Sequence, residues 1–264
     1  MISKIFYLFK SVFRNLFIKI INTLKRIYFF GNKYHCYFCN KKARKFISYG
    51  SFNNAIKEYQ IQSMGRRDNC ICPNCNSKDR ERFVHLFILN LINKNSINKK
   101  SKILHFSPEQ NLRKFFISSK FENYFTSDFL SKNNNLKIDL ENEFKIDKKF
   151  DLIICNHVLE HIVNDDIALK NIFYYLEEKG CAILQTPYSK IIDEDYINPS
   201  VKTDKDRLNF YGQEDHVRIY SKKSLIQKIK KAGFEIKIFK LEDFFPQNES
   251  IGLIKDEEIL FAKK

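Results

Sequence analysis

The chain has 264 residues, of which 44% are hydrophobic, and a formal net charge of +15; this length accommodates one large domain with a small appendage. Its seven glycines include no G-x-G pair. Phosphate-binding loops and glycine-rich dinucleotide fingerprints need closely spaced glycines, so the composition argues against a nucleoside triphosphatase and an ordinary NAD enzyme.

The positive charge is concentrated near the start of the chain. Twelve of the 46 lysines and arginines precede Glu58, the first acidic residue, and the remainder has an excess of only three basic residues. Proteins that bind nucleic acids usually spread basic residues over the working surface. The distribution therefore gives only weak support to binding of RNA or DNA.

Residues 1–30 are predicted to form an amphipathic helix, with Leu24 and Ile27 on its apolar side and its lysines and arginines largely on the other. This pattern is typical of a helix at an anionic membrane surface; packing on the main domain or docking to a partner are the alternatives. Charges interrupt every apolar stretch and no cleavage site follows, which argues against a spanning helix and a secretory signal. We therefore expect a cytoplasmic protein with peripheral contact to the inner membrane.

Five of the seven cysteines lie between residues 36 and 75. Two C-x-x-C pairs in this segment can present four thiolates in a tetrahedron, as structural zinc sites require. The odd cysteine count and the missing signal argue against a disulfide framework. We expect residues 31–82 to form a zinc ribbon, with Cys70 as a spare thiol. The expected ligands of Zn²⁺ are Cys36, Cys39, Cys72 and Cys75.

From residue 102 onward, short apolar runs alternate with amphipathic segments, which predicts an α/β domain on a parallel sheet. Helices are expected at 108–119, 165–178 and 221–232. The predicted strands are 102–106, 123–127, 136–139, 150–155, 181–186, 235–240 and 258–262. Such sheets bind ligands at the carboxyl ends of their strands, so the residues that follow each strand are the candidates for a site.

Polar residues follow the first three of these strands. Ser107 and Gln110 predict a capping box, and a helix that starts there directs free N–H groups into the crevice. Asp128 ends the second strand, where a carboxylate commonly accepts hydrogen bonds from ribose hydroxyls, although it could equally be a loop aspartate. Asp139 ends the third strand.

The fourth strand runs into a segment rich in histidine. His157-x-x-Glu160-His161 matches the inverted zinc-peptidase motif, which needs both histidines and the glutamate on one helical face. The segment follows a buried strand directly, and the signal for a helix start at Asn164 comes after it. This context argues against a peptidase.

In combination, these motifs resemble those of bacterial class I S-adenosylmethionine-dependent methyltransferases, more narrowly the type 11-like branch with an N-terminal zinc ribbon. The segments that carry the resemblance are CPNCNSKDRER at 72–82, ILHFSPE at 103–109, FDLIICNHVLEHI at 150–162, LEEKGCAILQTP at 176–187 and YGQEDHVRIY at 211–220. The resemblance implies a Rossmann-like seven-stranded methyltransferase sheet over residues 83–264, with an antiparallel last strand. The chain departs from the family in the loop after its first strand, where bulky residues replace the usual glycines.

The resemblance also implies S-adenosylmethionine as cofactor. The loop after the first strand would face the methionine part, the acid after the second strand would hold the ribose, and the acid after the third would lie near the adenine. Asn156 and His157 would line the cleft beside the sulfonium. The residues implied to bind the cofactor are His105, Ser107, Glu109, Asp128, Asp139 and Asn156.

The densest polar cluster follows the fifth strand. Methyl transfer to a hydroxyl requires alignment, exclusion of water and removal of a proton. His216, oriented by Asp215, is the candidate general base, and His157 is its competitor. The arginine of this cluster could clamp a phosphate or a carboxylate, or could form a structural ion pair with Asp215. The candidate substrate-binding residues are Tyr211, Gln213 and Arg218.

No motif specifies the acceptor. The branch often accompanies bacterial surface-glycan synthesis, which favours O-methylation of a sugar, a nucleotide-linked intermediate or a lipid-linked intermediate of polysaccharide biosynthesis. RNA methylation is one alternative, which a steep salt dependence of RNA binding would favour. A non-catalytic binding or scaffold protein on a methyltransferase fold is another, suggested by the missing glycines; failure to bind S-adenosylmethionine would favour it.

Overall fold

The computed structural model describes residues 21, 23–25, 27–128, 135–142, 146–244, 251–254 and 256–264. Residues 1–20 of the predicted N-terminal helix lie outside these ranges, and the described residues between 21 and 28 are helical. None of the helices in the described ranges is long and apolar enough to cross a membrane.

The segment that contains the first five cysteines forms two small antiparallel hairpins. β1 (Tyr34–Cys36) pairs with β2 (Lys41–Ala43), and β3 (Ile47–Tyr49) pairs with β4 (Arg67–Ile71). A short helix, α1 (Asn54–Glu58), lies between the strands of the second hairpin. Neither hairpin joins the main sheet, so this segment is a separate layer beside it.

The remaining described elements form an α/β domain. In chain order they are α2 (Asp79–Asn93), β5 (Lys102–Phe106), α3 (Gln110–Ser118), β6 (Asn123–Ser127), β7 (Phe150–Cys155), α4 (Asp165–Tyr175), β8 (Leu176–Ile183), β9 (Tyr188–Ser189), α5 (Asp204–Tyr211), β10 (Tyr220–Ser221), α6 (Lys222–Lys231), β11 (Glu235–Lys240) and β12 (Glu258–Lys263). The main sheet has the order β11-β12-β8-β7-β5-β6. β5 to β8 are parallel, and β12 is antiparallel to both of its neighbours. The predicted mostly parallel sheet with an antiparallel last strand is confirmed.

The strand predicted at 136–139 is reduced to one parallel bridge, between Leu136 and Ser127, so the described sheet has six strands rather than the expected seven. At this edge the side-chain oxygen of Asn135 accepts a hydrogen bond from the backbone N–H of Thr126 at 3.1 Å, and among the described residues 135–139 only Leu136 forms a backbone–backbone hydrogen bond with β6. Because a side chain occupies a position that a backbone carbonyl would take in a strand, regular pairing does not extend from this bridge.

Alternate residues of the central strands face opposite sides of the sheet. Ile103 of β5 packs with α2 and α3, whereas Leu104 packs with α4 and α6. Both side chains are fully buried, and each contributes about 1.5–3 kcal/mol relative to an exposed position. The domain is therefore a sheet between two layers of helices, which leaves the carboxyl ends of β5 to β8 open along one edge.

Residues 79–82 connect the hairpin segment to the main domain. Asp79 forms an ion pair with Arg67 of β4 at 2.8 Å. Glu81 is buried and accepts hydrogen bonds from the first backbone N–H groups of α3. Arg82 is 2% exposed and donates to backbone carbonyls in β4 and at the chain segment before β12. These contacts hold the hairpins against the edge of the sheet where the strands end.

Candidate functional site

The four predicted zinc ligands lie together, with all sulfurs within 4.8 Å of one another. The Cys36–Cys75 and Cys39–Cys72 sulfur pairs are separated by 3.7 and 3.8 Å. Sulfurs placed tetrahedrally at about 2.3 Å from one ion are about 3.8 Å apart, so the donor set fits Zn²⁺. Cys70 lies outside this cluster, as its role as a spare thiol requires.

A cavity of about 610 Å³ lies at the carboxyl ends of β5, β6 and β7, within the usual size range of small-molecule sites. Three predicted cofactor residues, Ser107, Asp128 and Asp139, line it. Its apolar wall consists of Phe106, Ile138, Leu140, Val158 and Ile162. Carboxylates that accept hydrogen bonds from hydroxyl or amine groups, beside an apolar wall that can cover a heterocycle, fit the adenosine part of S-adenosylmethionine. We call this space the cofactor cavity.

The other three predicted cofactor residues form a polar network with Tyr124 behind this cavity. His105 is fully buried, with Nδ1 at 2.9 Å from the Tyr124 hydroxyl and Nε2 at 2.8 Å from Glu109. Asn156 Nδ2 lies 3.4 Å from the second oxygen of Glu109. Burial alone would raise the pKa of Glu109, but the hydrogen bond and charge of His105 outweigh it and lower that pKa. The network fixes the loop between β5 and α3 rather than lining the cavity.

The predicted capping box at Ser107 is wrong. Helix α3 begins at Gln110, with Glu109 at the N-cap position, and Ser107 has a positive φ of 42°. This backbone region favours glycine. The N–H of Ser107 donates instead to the carbonyl of Ser127 at the end of β6, at 2.8 Å. The loop thus makes a tight, glycine-like turn with a serine.

A second cavity, of about 580 Å³, lies between the hairpin segment and α5. Arg67, Arg80 and Arg207 line it, together with the acidic residues Asp204, Glu214 and Asp215 and with Gln213, a predicted substrate-binding residue. Ser51 and Ser63 add hydroxyl groups, and Asp215 lines both this cavity and the cofactor cavity. Arg67 pairs with Asp79 and Arg207 pairs with Asp204, so among the described residues Arg80 is the arginine of this wall that is left to bind an anionic group of a small polar molecule. We call this space the acceptor cavity.

A group of histidines around Glu160 lies where the two cavities meet. Glu160 Oε1 is 3.3 Å from His157 Nδ1. The same oxygen is 3.9 Å from His161 Nε2 and 4.0 Å from His216 Nε2. Arg80 reaches this group from the acceptor cavity, with its guanidinium 3.1 Å from His157. His157 and His161 also line the cofactor cavity. We call Glu160, His157, His161 and His216 the Glu160 cluster.

Burial sets the protonation of this cluster. It raises the pKa of Glu160 to about 7. Burial and the Arg80 charge hold the pKa of His157 well below its usual range, and burial together with His161 lowers the pKa of His216 to about 3. Both histidines are neutral at pH 7 and present lone pairs, but His216 is a weak proton acceptor. The lowered pKa of His216 therefore gives little support to its role as the general base.

Asp215, the residue expected to contact His216, contacts His161 instead. The backbone carbonyl of Asp215 lies 3.1 Å from His161 Nδ1, and its carboxylate lies 3.3 Å from the same atom. The expectation that Asp215 orients His216 is therefore wrong. The two residues are adjacent in sequence, and the chain between β9 and β10 turns the Asp215 side chain outward while it buries His216.

Two of the three predicted substrate-binding residues have structural roles. Arg218 is buried and pairs with Asp165 at 2.9 Å, so the alternative pairing with Asp215 is also wrong. Tyr211 is buried, and its hydroxyl accepts from the backbone N–H of Asn198 at 2.9 Å. Arg218 fastens the segment that follows β8 to α4, and Tyr211 joins two parts of that segment to each other.

The sequence reasoning missed Arg67 and Arg80 and assigned Glu160 only to a rejected motif. The segment is not a helix: Leu159–His161 form a single 3₁₀ turn, and His157 before it has a positive φ of 52°. The argument against a peptidase is thus supported. The available signal for Arg80 was its place in the segment at 72–82, whereas Arg67 lies outside that segment, and the orientation of both depends on how the hairpins pack.

A family model described as "Methyltransferase domain" matches residues 70–237. Comparison with curated proteins found no match. A crystal structure of an S-adenosylmethionine-dependent methyltransferase from Archaeoglobus fulgidus is 15% identical, with a TM-score of 0.41, and the alignment covers 68% of this chain and 94% of that one. A structure of an S-adenosylmethionine-dependent methyltransferase from Mesorhizobium loti is 10% identical, with a TM-score of 0.45, and the alignment covers 65% of this chain and 95% of that one. A structure of such a methyltransferase from Clostridium acetobutylicum is 14% identical, with a TM-score of 0.44, and the alignment covers 70% of this chain and 92% of that one.

Proposed function

Because this chain belongs to the methyltransferase-domain family, we propose that it transfers the methyl group of S-adenosylmethionine to a hydroxyl of a sugar, as part of a nucleotide-linked or lipid-linked intermediate of bacterial surface-glycan synthesis. The observation that carries the proposal is that Asp215 lines two cavities, one at the carboxyl ends of the strands and one beside the hairpin segment. The first has carboxylates and an apolar wall, and the second has both arginines and carboxylates.

The residues of the cofactor cavity would bind and orient the donor. Asp128 and Asp139 would accept hydrogen bonds from the ribose and the adenine, and Ser107 would lie beside the methionine part. Bound S-adenosylmethionine supplies an electrophilic methyl carbon. The protein would align an acceptor oxygen with that carbon and exclude water between them.

The acceptor cavity supports a sugar that carries a phosphate. Arg80, which forms no ion pair with a carboxylate in the described part of the chain, can hold a phosphate oxygen, and the serines and glutamine of this cavity can bond to sugar hydroxyls. The Glu160 cluster lies at the boundary with the cofactor cavity, where the reacting hydroxyl would be held. Arg80 would connect the two tasks, because it lines the acceptor cavity and contacts His157.

We also propose that the four clustered cysteines hold a structural zinc ion. A closed site of four thiolates leaves no position for a substrate, so the ion would stabilise the hairpins rather than take part in methyl transfer. We further propose that the N-terminal helix lies against an anionic membrane surface. Described residues on its apolar side support this, since Leu24 is 60% exposed and Ile27 is 68% exposed.

Two alternatives remain from the sequence. For an RNA methyltransferase, affinity would depend on neutralised phosphates; the small excess of positive charge beyond residue 58 gives that reading little support. For a scaffold protein, the cofactor cavity would bind no donor, although the positive φ of Ser107 supplies the turn that the missing glycines provide in the family.

Calorimetry with S-adenosylmethionine and S-adenosylhomocysteine tests the cofactor cavity. We expect micromolar binding of both by the wild type. Asp128→Asn should weaken binding about 10-fold or more, because a hydrogen bond to a charged group contributes about 1.5–3 kcal/mol. Asp193→Asn is the matched control, since Asp193 is 91% exposed and should leave the affinity unchanged. No binding of either ligand up to millimolar concentration would favour the scaffold reading.

Transfer of a labelled methyl group then identifies the acceptor class. Nucleotide-linked sugars, lipid-linked glycan intermediates and ribosomal RNA are offered separately to zinc-loaded protein. We expect label in a sugar hydroxyl of one of the first two. Label in RNA alone, lost steeply as the salt concentration rises, would contradict the glycan proposal.

A further inference from the structure

The Glu160 cluster brings two nitrogen donors and one oxygen donor to one point from two distant parts of the chain. Glu160 and His161 lie in the 3₁₀ turn after β7, and His216 lies between α5 and β10. One donor atom from each of the three lies within 4.8 Å of the other two. Donor atoms bound at about 2.0–2.2 Å to one ion are roughly 3–4 Å apart. Small side-chain rotations therefore bring all three to the distances of a common ion.

Buried donor atoms in the cluster have no hydrogen-bond partner. Glu160 is 1% exposed, and among the described residues no donor reaches its Oε2 atom. Nε2 of His157, beside it, is likewise buried and unsatisfied. A buried carboxylate oxygen without a partner is costly. Glu160 Oε1 is the oxygen that faces the two imidazoles, so a cation bound through both carboxylate oxygens would satisfy Oε2.

His161 is oriented as a metal ligand is. A ligating histidine commonly donates its other ring N–H to a carbonyl or a carboxylate, which fixes the ring and leaves a lone pair for the ion. In His161, Nδ1 faces the carbonyl of Asp215 at 3.1 Å, while Nε2 faces Glu160. The ring of His216 meets that of His161 edge to face, with centroids 4.8 Å apart.

From this geometry we infer that Glu160, His161 and His216 bind a divalent first-row transition metal ion at the boundary between the two cavities. Two imidazoles and one carboxylate suit zinc, iron, cobalt or manganese, and three protein ligands leave further coordination positions for a substrate. The site is distinct from the four-cysteine cluster, which has only sulfur donors. It also contains no helix of the peptidase type.

The position of the site indicates its task, and this step rests on the proposed methyl transfer. His161 lines the cofactor cavity, and its partner Asp215 lines both cavities. A divalent ion lowers the pKa of a hydroxyl that coordinates it, which would ease the loss of the acceptor's proton. In the transfer the acceptor O–H proton passes to water, the carbon–oxygen bond forms, and the methyl–sulfur bond breaks with its electron pair on sulfur.

Cobalt is a suitable probe because its absorption separates the two sites. Co²⁺ is titrated into zinc-replete wild-type protein. We expect one ion per chain beyond the zinc, with the weak visible bands of nitrogen and oxygen ligands and without the intense thiolate charge-transfer band. Glu160→Gln and His216→Ala should each weaken this binding at least 10- to 100-fold. Glu178→Gln, at a carboxylate that is 91% exposed, is the matched control and should bind as the wild type does.

Folding of each variant is checked by its affinity for S-adenosylmethionine, which should stay within a few-fold of the wild type. No Co²⁺ uptake beyond the cysteine site, or uptake that neither variant changes, would overturn the inference. Both outcomes are independent of methyl transfer. A protein that binds the cofactor and transfers methyl groups equally well after chelation of the second ion would retain its proposed function and refute the task of the ion in methyl transfer.

Discussion

At the scale of single residues, two neighbouring glutamates before and within β12 have opposite surroundings. Glu257 is 1% exposed and accepts hydrogen bonds from Ser63 and Gln185, and burial raises its pKa to about 7. Glu258 is also buried, but its hydrogen bonds with Lys222 and Tyr188 outweigh burial and lower its pKa. The two residues should therefore contribute to stability with opposite dependence on pH.

Glu257→Gln tests the raised pKa. Between pH 4.5 and pH 7 the folded state holds a proton at Glu257 that the unfolded state releases, so the wild type loses stability as the pH rises through this window. The loss is about 1.4 kcal/mol for each unit of the pKa difference. The variant should therefore be more stable than the wild type at pH 8, with the advantage shrinking toward pH 5, as measured by urea unfolding at both pH values.

Glu258→Gln is the control. Because its folded pKa is lowered, the wild-type carboxylate contributes stability above pH 4.5, and this variant should be less stable than the wild type at pH 8. An advantage of Glu257→Gln that is the same at pH 5 and pH 8 would contradict the linkage argument.

At the scale of elements, the described end of the N-terminal helix leaves apolar side chains uncovered. Ile21 is 45% exposed, and Leu24 and Ile27 follow on the same side at intervals of three residues. An isolated apolar residue on a surface is ordinary, but three in a row on a helix with lysines opposite are typical of an interfacial helix. The proposed membrane contact therefore rests on the exposed apolar side chains of this helix.

Sedimentation with lipid vesicles tests that contact. The wild type should bind vesicles that contain anionic phospholipid, bind neutral vesicles weakly, and lose affinity as salt screens the charges. The double variant Leu24→Ser, Ile27→Ser removes two buried contacts with the acyl region and should lower binding about 10-fold or more. Ile117→Ser is the control, since Ile117 is 60% exposed on α3, away from this helix. Equal binding to neutral and anionic vesicles would argue for a different role of the helix.

At the scale of the whole molecule, the acceptor cavity exists only because two separate layers meet. Arg67 comes from β4 of the hairpin segment, Arg80 comes from the start of α2, and Gln213 comes from the segment after α5. The cysteine cluster joins the first hairpin, through Cys36 and Cys39, to the end of the second, through Cys72 and Cys75, which lie between Arg67 and Arg80 in the chain. Loss of the metal at the cysteines should therefore weaken binding of the acceptor and leave binding of S-adenosylmethionine unchanged.

Cys75→Ser tests this division. We expect the variant to lose its zinc, the acceptor KM to rise about 10-fold or more, and the affinity for S-adenosylmethionine to stay within a few-fold, because no residue of the hairpin segment lines the cofactor cavity. Metal analysis, acceptor kinetics and calorimetry measure the three quantities. Cys70→Ala is the control and should keep its zinc, since Cys70 lies outside the cluster. A parallel loss of cofactor affinity in Cys75→Ser alone would show that the two layers do not act separately.

The elements that the sequence predicted best have strong local patterns. The predicted bounds of the strands Lys102–Phe106, Asn123–Ser127, Phe150–Cys155 and Glu235–Lys240 match the structure. Phe150–Cys155 is largely buried and is a nearly continuous apolar run, whereas Glu235–Lys240, at the edge of the sheet, alternates exposed and half-buried residues over its first four positions; both patterns are readable over six residues. The segment at 136–139 is only four residues long, and it formed a single bridge.

The sequence by itself determined the α/β domain, the cysteine quartet and the acids of the cofactor cavity, since each depends on spacing within a short stretch or on the end of a buried strand. Only the tertiary structure decided that Asp215 contacts His161 rather than His216. The same is true of the ion pair between Arg218 and Asp165 and of the contact between Arg80 and His157. The partners in these contacts are as many as 77 residues apart. A side chain can form only a few hydrogen bonds, and packing of the two layers selects which of several equally suitable charges comes within reach.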